Sequence, residues 1–109
     1  MPAPFDRTDY WPLDTFAFEA LAVAGTAVPF TVATHTPGTT SGPPAICAVA
    51  KVEGAQIRYR TDGTDPTATA GVAADPGDVI TVCGKQDILS IRFIRTGGTS
   101  ATLNTEYSR

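Results

Sequence analysis

The sequence predicts an all-β fold: an antiparallel β-sandwich, jelly-roll or immunoglobulin-like, of about seven or eight short strands behind an irregular N-terminal arm. Three observations carry that expectation. Thr, Val, Ile, Phe and Tyr are frequent while Leu, Glu, Lys and Gln are scarce, a composition suited to pleated, half-buried surfaces. Ten glycines and nine prolines punctuate the chain throughout. Turn signals recur every 8–12 residues or so, roughly the rhythm of short strands joined by tight connections. A chain of 109 residues suits one domain. We divide it into an arm over residues 1–15 and a single sandwich over residues 16–109.

The arm, MPAPFDRTDYWPLD, holds Pro2, Pro4 and Pro12, which forbid a continuous helix. In TFAFEALAVAG, Phe16, Phe18, Ala20 and Ala22 share one face of a strand; the segment is too short and too poorly capped for a helix. TAVPFTVATHT alternates Val28, Phe30 and Val32. Pro29 cannot donate to a ladder, so this strand is expected at an edge or a bulge, where it is a candidate for pairing with a second chain. Residues 37 to 44 form a loop. AICAVAKVEG then sets Ile46, Ala48, Ala50 and Val52 against Lys51 and Glu53. AQIRYR sets Ala55, Ile57 and Tyr59 against Gln56, Arg58 and Arg60, the mark of a strand solvated on one side. DPGD, residues 75 to 78, is a turn and VITVCG a strand. DILSIRFIR reads as one longer strand with Leu89, Ile91 and Phe93 in register. SATLNTEYSR closes the chain with Ala101, Leu103, Thr105 and Tyr107 inward.

The stretch IRYRTDGTDPTATAG asks whether its acids bind something. A calcium loop needs oxygen ligands at alternating positions and a terminal bidentate Glu. Here the glycine comes too early and no Glu follows within the next dozen residues. Asp62-Gly63 and Asp65-Pro66 are turn dipeptides instead: Gly accepts positive φ, Asp bonds nearby backbone, and Pro presets φ. Thr64, Thr67 and Thr69 are placed to satisfy exposed backbone groups. The pair of turns is expected to form a corner at which the chain leaves one sheet and crosses to the other.

From residue 50 to 109 the chain resembles a small β-sandwich structural protein of tailed-bacteriophage virions. The likeness rests on a strand ending in Ile57-Arg58-Tyr59, the Asp62-Gly63-Thr64 corner with Pro66-Thr67, and the Gly77-Asp78 turn. It continues through the Phe93-Ile94-Arg95 segment, Thr96-Gly97, and a closing strand carrying Tyr107. The resemblance implies a capsid decoration or cement role, as a homo-oligomer (dimer or trimer) on the major capsid protein, within a virion assembled in the host cytoplasm. Tyr59, Asp62, Gly63, Pro66 and Thr67 also fit the corner of the immunoglobulin-like accessory domain of chitobiase-type enzymes, a weaker likeness.

Net charge is −3 and the cations are scattered, so no basic stripe exists to bind nucleic acid. No apolar run approaches the ~20 residues that span a bilayer, and no signal peptide is evident. Cys47 and Cys83, far apart and without CxxC spacing, read as two reduced, partly buried thiols, and no metal site or cofactor is expected. The single histidine, His35, sits without a recognisable nucleophile partner, and most acids lie in turns, so the chain reads as non-enzymatic. Charge is 17% of the composition against a usual value of about 25%, leaving a surface of small residues that costs little to desolvate against a protein. Phe5, Tyr10 and Trp11 on the arm are candidate docking aromatics, and outward Arg58, Arg60 and Arg92 are candidate partners for acidic shell residues. The alternatives are a carbohydrate- or receptor-binding module, for which Tyr10 and Trp11 would supply the stacking surface, and a neck or tail component.

Overall fold

The computed structural model describes residues 14–36 and 42–109; Phe5, Tyr10 and Trp11, and most of the arm with them, lie outside the described residues. The elements run β1 (Thr15–Val23), α1 (Val32–His35), β2 (Cys47–Glu53), β3 (Ile57–Arg60), β4 (Val72–Ala74), β5 (Val79–Cys83), α2 (Lys85–Ser90), β6 (Arg92–Arg95) and β7 (Ala101–Ser108). Seven strands form two antiparallel sheets, one ordered β1-β7-β2-β5 and the other β4-β3-β6. The fold is all-β and sandwich-like, as the strand rhythm predicts.

Period-two alternation delivers the core. Ala101, Leu103, Thr105 and Tyr107 of β7, Ala48, Ala50 and Val52 of β2, and Ile80 and Val82 of β5 are buried on the larger sheet. Ile57, Ala74 and Phe93 answer from the smaller one. Phe30 fills the gap between them, packing edge-on to Phe93 at 4.9 Å and to Tyr107 at 5.5 Å between ring centroids. Rings set in this way add about 1 kcal/mol beyond area burial.

Four segments depart from expectation. In β1 the pairing to β7 shifts between Thr15 and Ala17, a bulge at Phe16. A one-residue slip exchanges the faces of a strand. Phe18 is therefore 60% exposed and Ala20 and Ala22 are also exposed, while Glu19, Leu21 and Val23 turn inward.

The second departure is the Pro29 segment, which is not a strand. Val28 makes one isolated bridge to Phe93, its N–H donating to the Phe93 carbonyl and its carbonyl accepting from the Phe93 N–H, both at 2.9 Å. The chain then folds into α1. Val28 lies against the outer side of β6.

DILSIRFIR, the third, is split. α2 occupies Lys85–Ser90 and β6 begins at Arg92. Ile88 and Ile91, three apart, are both buried, whereas Leu89 is 40% exposed. The Lys-Gln-Asp start carries no β-branched residue, and a single helical turn buries Ile88 better than a strand would.

The fourth departure is the corner. β3 and β4 pair within one sheet, Ile57 opposite Ala74 and Tyr59 opposite Val72, so residues 61–71 are a wide hairpin connection and not a crossover. The crossing to the larger sheet falls at Asp75–Asp78 instead. There the Asp78 N–H donates to the Asp75 carbonyl, the Gly77 N–H donates to Val52, and the Val52 N–H donates to Asp78.

The two cysteines are not free thiols. Cys47 and Cys83 lie directly opposite in the β2–β5 register and are joined as a disulfide. Register decides this, and a sequence separation of 36 hides it from the sequence.

Candidate functional site

The hairpin connection after β3 is tightly self-bonded. The Asp62 carboxylate accepts from the Thr64 N–H at 3.1 Å and from both Nε and Nη2 of Arg60, at 3.2 and 2.5 Å. The Arg60 hydrogen bond holds the Asp62 carboxyl below the usual carboxylate range, helped by the Thr64 N–H. Thr67 Oγ1 accepts from the N–H groups of Ala70 and Thr69, at 3.0 and 3.3 Å. Pro66 is buried beneath the loop while Asp62, Gly63 and Asp65 are exposed. Asp62 and Gly63 thus turn the chain within a hairpin connection and not at a crossing between sheets, and Asp65 makes no side-chain hydrogen bond to another described residue.

Gly71 is the residue that sequence reasoning missed. Its φ is +135°, and a Cβ there would meet the Tyr59 carbonyl at 3.1 Å, Pro66 Cβ at 3.2 Å and Arg58 Cβ at 3.3 Å. Only glycine lets the end of the loop pass so close to β3. The clue available in the sequence was a glycine immediately before an apolar pair, in Ala70-Gly71-Val72.

The three candidate arginines do not converge. Arg58 donates to the carbonyls of Ala68, at 3.1 Å, and Gly71, at 2.8 Å, so it ties the loop back to β3. Arg60 is engaged with Asp62. Arg92 donates to the carbonyls of Leu89 and Ile91, at 2.7 and 2.9 Å, at the end of α2. Each guanidinium makes bonds within its own chain.

Two grooves adjoin Tyr59, which is half-buried. The larger, about 470 Å³, runs along the whole of β5 and is completed by Thr61 and Asp87. The smaller, about 310 Å³, lies on the other side against Arg60, Asp62, Gly71 and Val72. Tyr59 also packs at 6.3 Å on Phe93, so one face of its ring belongs to the core. Among the described residues no group of three or more His, Cys, Asp and Glu comes together.

The far end of the sandwich holds a second polar cluster. Glu19, turned inward by the bulge, accepts from the Thr31 N–H at 3.0 Å, from Thr31 Oγ1 at 2.6 Å and from the Tyr107 hydroxyl. Burial, with the adjacent Glu19 carboxylate, drives the Tyr107 phenol far above its ordinary range. His35 is 2% exposed, 5.6 Å from the Tyr107 ring, with Nδ1 3.1 Å from the Thr36 hydroxyl and Nε2 without a hydrogen-bond partner among the described residues. Burial lowers its pKa below the ordinary value, and the charge of Glu19 opposes this more weakly. The cluster fastens α1 to β1 and β7 and leaves His35 as a packing residue. Comparison of the chain with protein-family models, with curated proteins and with solved structures finds no match.

Proposed function

We propose that this chain is a non-enzymatic structural protein of a tailed-phage virion, which decorates or cements the capsid shell by attaching to the major capsid protein. The observation that carries the reading is the likeness of residues 50–109 to proteins of that kind. That stretch supplies β3 to β7, so it accounts for five of the seven strands and the whole smaller sheet. A small sandwich whose loops are held by their own hydrogen bonds is suited to the work, because contacts made by a rigid body lose little entropy on attachment. Individually weak contacts then sum through many copies on one shell.

Co-sedimentation tests the reading. The full chain, mixed with tailed-phage shells stripped of accessory proteins, is expected to pellet with them and to raise the temperature at which they fail. Alanine at Phe5, Tyr10 and Trp11 together is expected to reduce binding. Shells that neither bind the protein nor gain heat resistance would remove the cement role.

One observation favours a second reading, a carbohydrate-binding module. Tyr59 borders two open grooves with Thr61, Asp62 and Asp87 around it, a setting in which a ring and polar groups meet a sugar. Glycan titration followed by amide chemical shifts discriminates the two. Saturable shifts at Tyr59, Thr61 and Asp87 would favour the module, and the cement reading expects none.

A further inference from the structure

We infer that β5 is a self-association edge, pairing antiparallel with β5 of a second copy to join two four-stranded sheets into one across a two-fold axis at Thr81. The inference is independent of the shell reading and begins from a survey of sheet edges. Four strands lie at edges: β1, β5, β4 and β6. β6 is capped by Val28, and in an extended segment the next N–H would point outward, where Pro29 has none. β1 is bulged at Phe16 and flanked by α1, and β4 is three residues long. Bulges, prolines and short lengths are the devices by which edges resist pairing. β5 has none of them. Val79-Ile80-Thr81-Val82-Cys83 carries no charge and no proline, and pairs with β2 through five consecutive residues without a register shift.

The direction of its backbone groups follows from the ladder. Gly84 donates to Ile46 at 2.7 Å and Val52 donates to Asp78 at 2.9 Å, so residues 78, 80, 82 and 84 face β2. Val79, Thr81 and Cys83 therefore aim their N–H and C=O groups at the free edge, beside the 470 Å³ groove. No other described residue hydrogen-bonds them.

A second copy fits this edge. Pairing about Thr81 sets Val79 against Cys83, Ile80 against Val82 and Thr81 against Thr81, all uncharged and mostly β-branched. All three outward-facing residues then fall in hydrogen-bonded positions, giving about six main-chain bonds between copies. A charge anywhere on the axis would meet itself, and there is none.

The test is sedimentation velocity on the full chain from micromolar to submillimolar concentration, with amide exchange on the same samples. A concentration-dependent dimer is expected, in which the amides of Val79, Thr81 and Cys83 slow as dimer forms. Thr81→Pro removes only an outward N–H, and Thr81→Lys sets two like charges on the axis. Each is expected to weaken association roughly tenfold or more while circular dichroism stays native. Thr81→Lys keeps the test valid if the proline variant fails to fold. A monomer throughout the range would overturn the inference. So would a dimer that both folded variants leave intact, or one in which those three amides exchange freely.

Discussion

The two long sides of the sandwich differ in how far they are closed. On the β1/β6 side the main chain itself laces the sheets together. Arg95 donates to the Ala24 carbonyl at 3.0 Å, Val28 bridges Phe93, and Glu19 holds the start of α1 through Thr31. On the β5/β4 side the chain crosses at the Asp75–Asp78 turn, and the grooves beside Tyr59 lie open. There the last strand of the larger sheet is held to its neighbour by the Cys47–Cys83 bond as well as by the ladder. One side is therefore closed between the sheets, while on the other the disulfide fixes β5 within its own sheet and leaves the gap open.

Substitutions can break this contrast. Phe30→Ala removes the ring that packs on Phe93 and Tyr107 from the laced side and is expected to destabilise by about 3–5 kcal/mol in urea unfolding. Val79→Ala, on the open side at 57% exposure, should stay within about 0.5 kcal/mol in the monomer. Similar losses at both positions would show that the open side is packed in solution. Next in size is the staple. Replacing Cys47 and Cys83 together by Ser frees a loop of 36 residues and is expected to lower stability by about 3–4 kcal/mol. Equilibrium unfolding with and without reductant measures the same quantity in the native chain, and no difference would mean that the ladder alone holds β5.

Smaller effects sharpen the comparison. Gly71→Ala meets both an unfavourable φ and close backbone, and should cost about 2 kcal/mol, whereas Gly63→Ala, with φ +83° and nothing within 4 Å, should cost about 1 kcal/mol. Thermal unfolding of both variants separates crowding from φ strain; equal losses would remove the crowding argument. The smallest effect belongs to the laced side and depends on pH. Burial lowers the pKa of His35 in the folded chain, so below about 6.5 the unfolded state binds the extra proton. Its contribution is complete above that pH and is lost as the pH falls toward the folded pKa. Unfolding midpoints are expected to decline between pH 7 and pH 5, and His35→Phe should flatten the decline. An unchanged slope would mean that His35 is already solvated.

Legibility in the sequence followed the range of the interaction. Where alternation is set by neighbours two apart, as in β2, β3 and β7, the inward residues are read correctly down to Thr105 and Tyr107. Where a distant partner decides, the reading fails. The bulge in β1 is fixed by its pairing with β7, and it turns Phe18 out and Glu19 in. The split of residues 85–95 follows from Ile88 reaching the core. The corner was recognised as turn chemistry from Asp62-Gly63 and Asp65-Pro66, but whether its ends meet in one sheet or two is a property of the sheet. Gly71 and the Glu19–Tyr107–His35 cluster escaped for the same reason, because crowding at the glycine and convergence of the other three arise only when strands far apart in sequence lie side by side.

That β7 lies between β1 and β2 has a consequence for biosynthesis. Both neighbours are translated before it. Until residues 101–108 leave the ribosome, β1 and β2 have no intervening strand to join them, and their inner edges wait unsatisfied. Nearly ninety residues separate some of the pairs that β7 makes, such as Glu19 and Thr105, so the decisive contacts are late and non-local. Folding should then run on the millisecond-to-second scale of β-rich topologies and wait for residues 101–108. A ribosome stalled before Ala101 would hold a nascent chain that exposes strand edges to its neighbours.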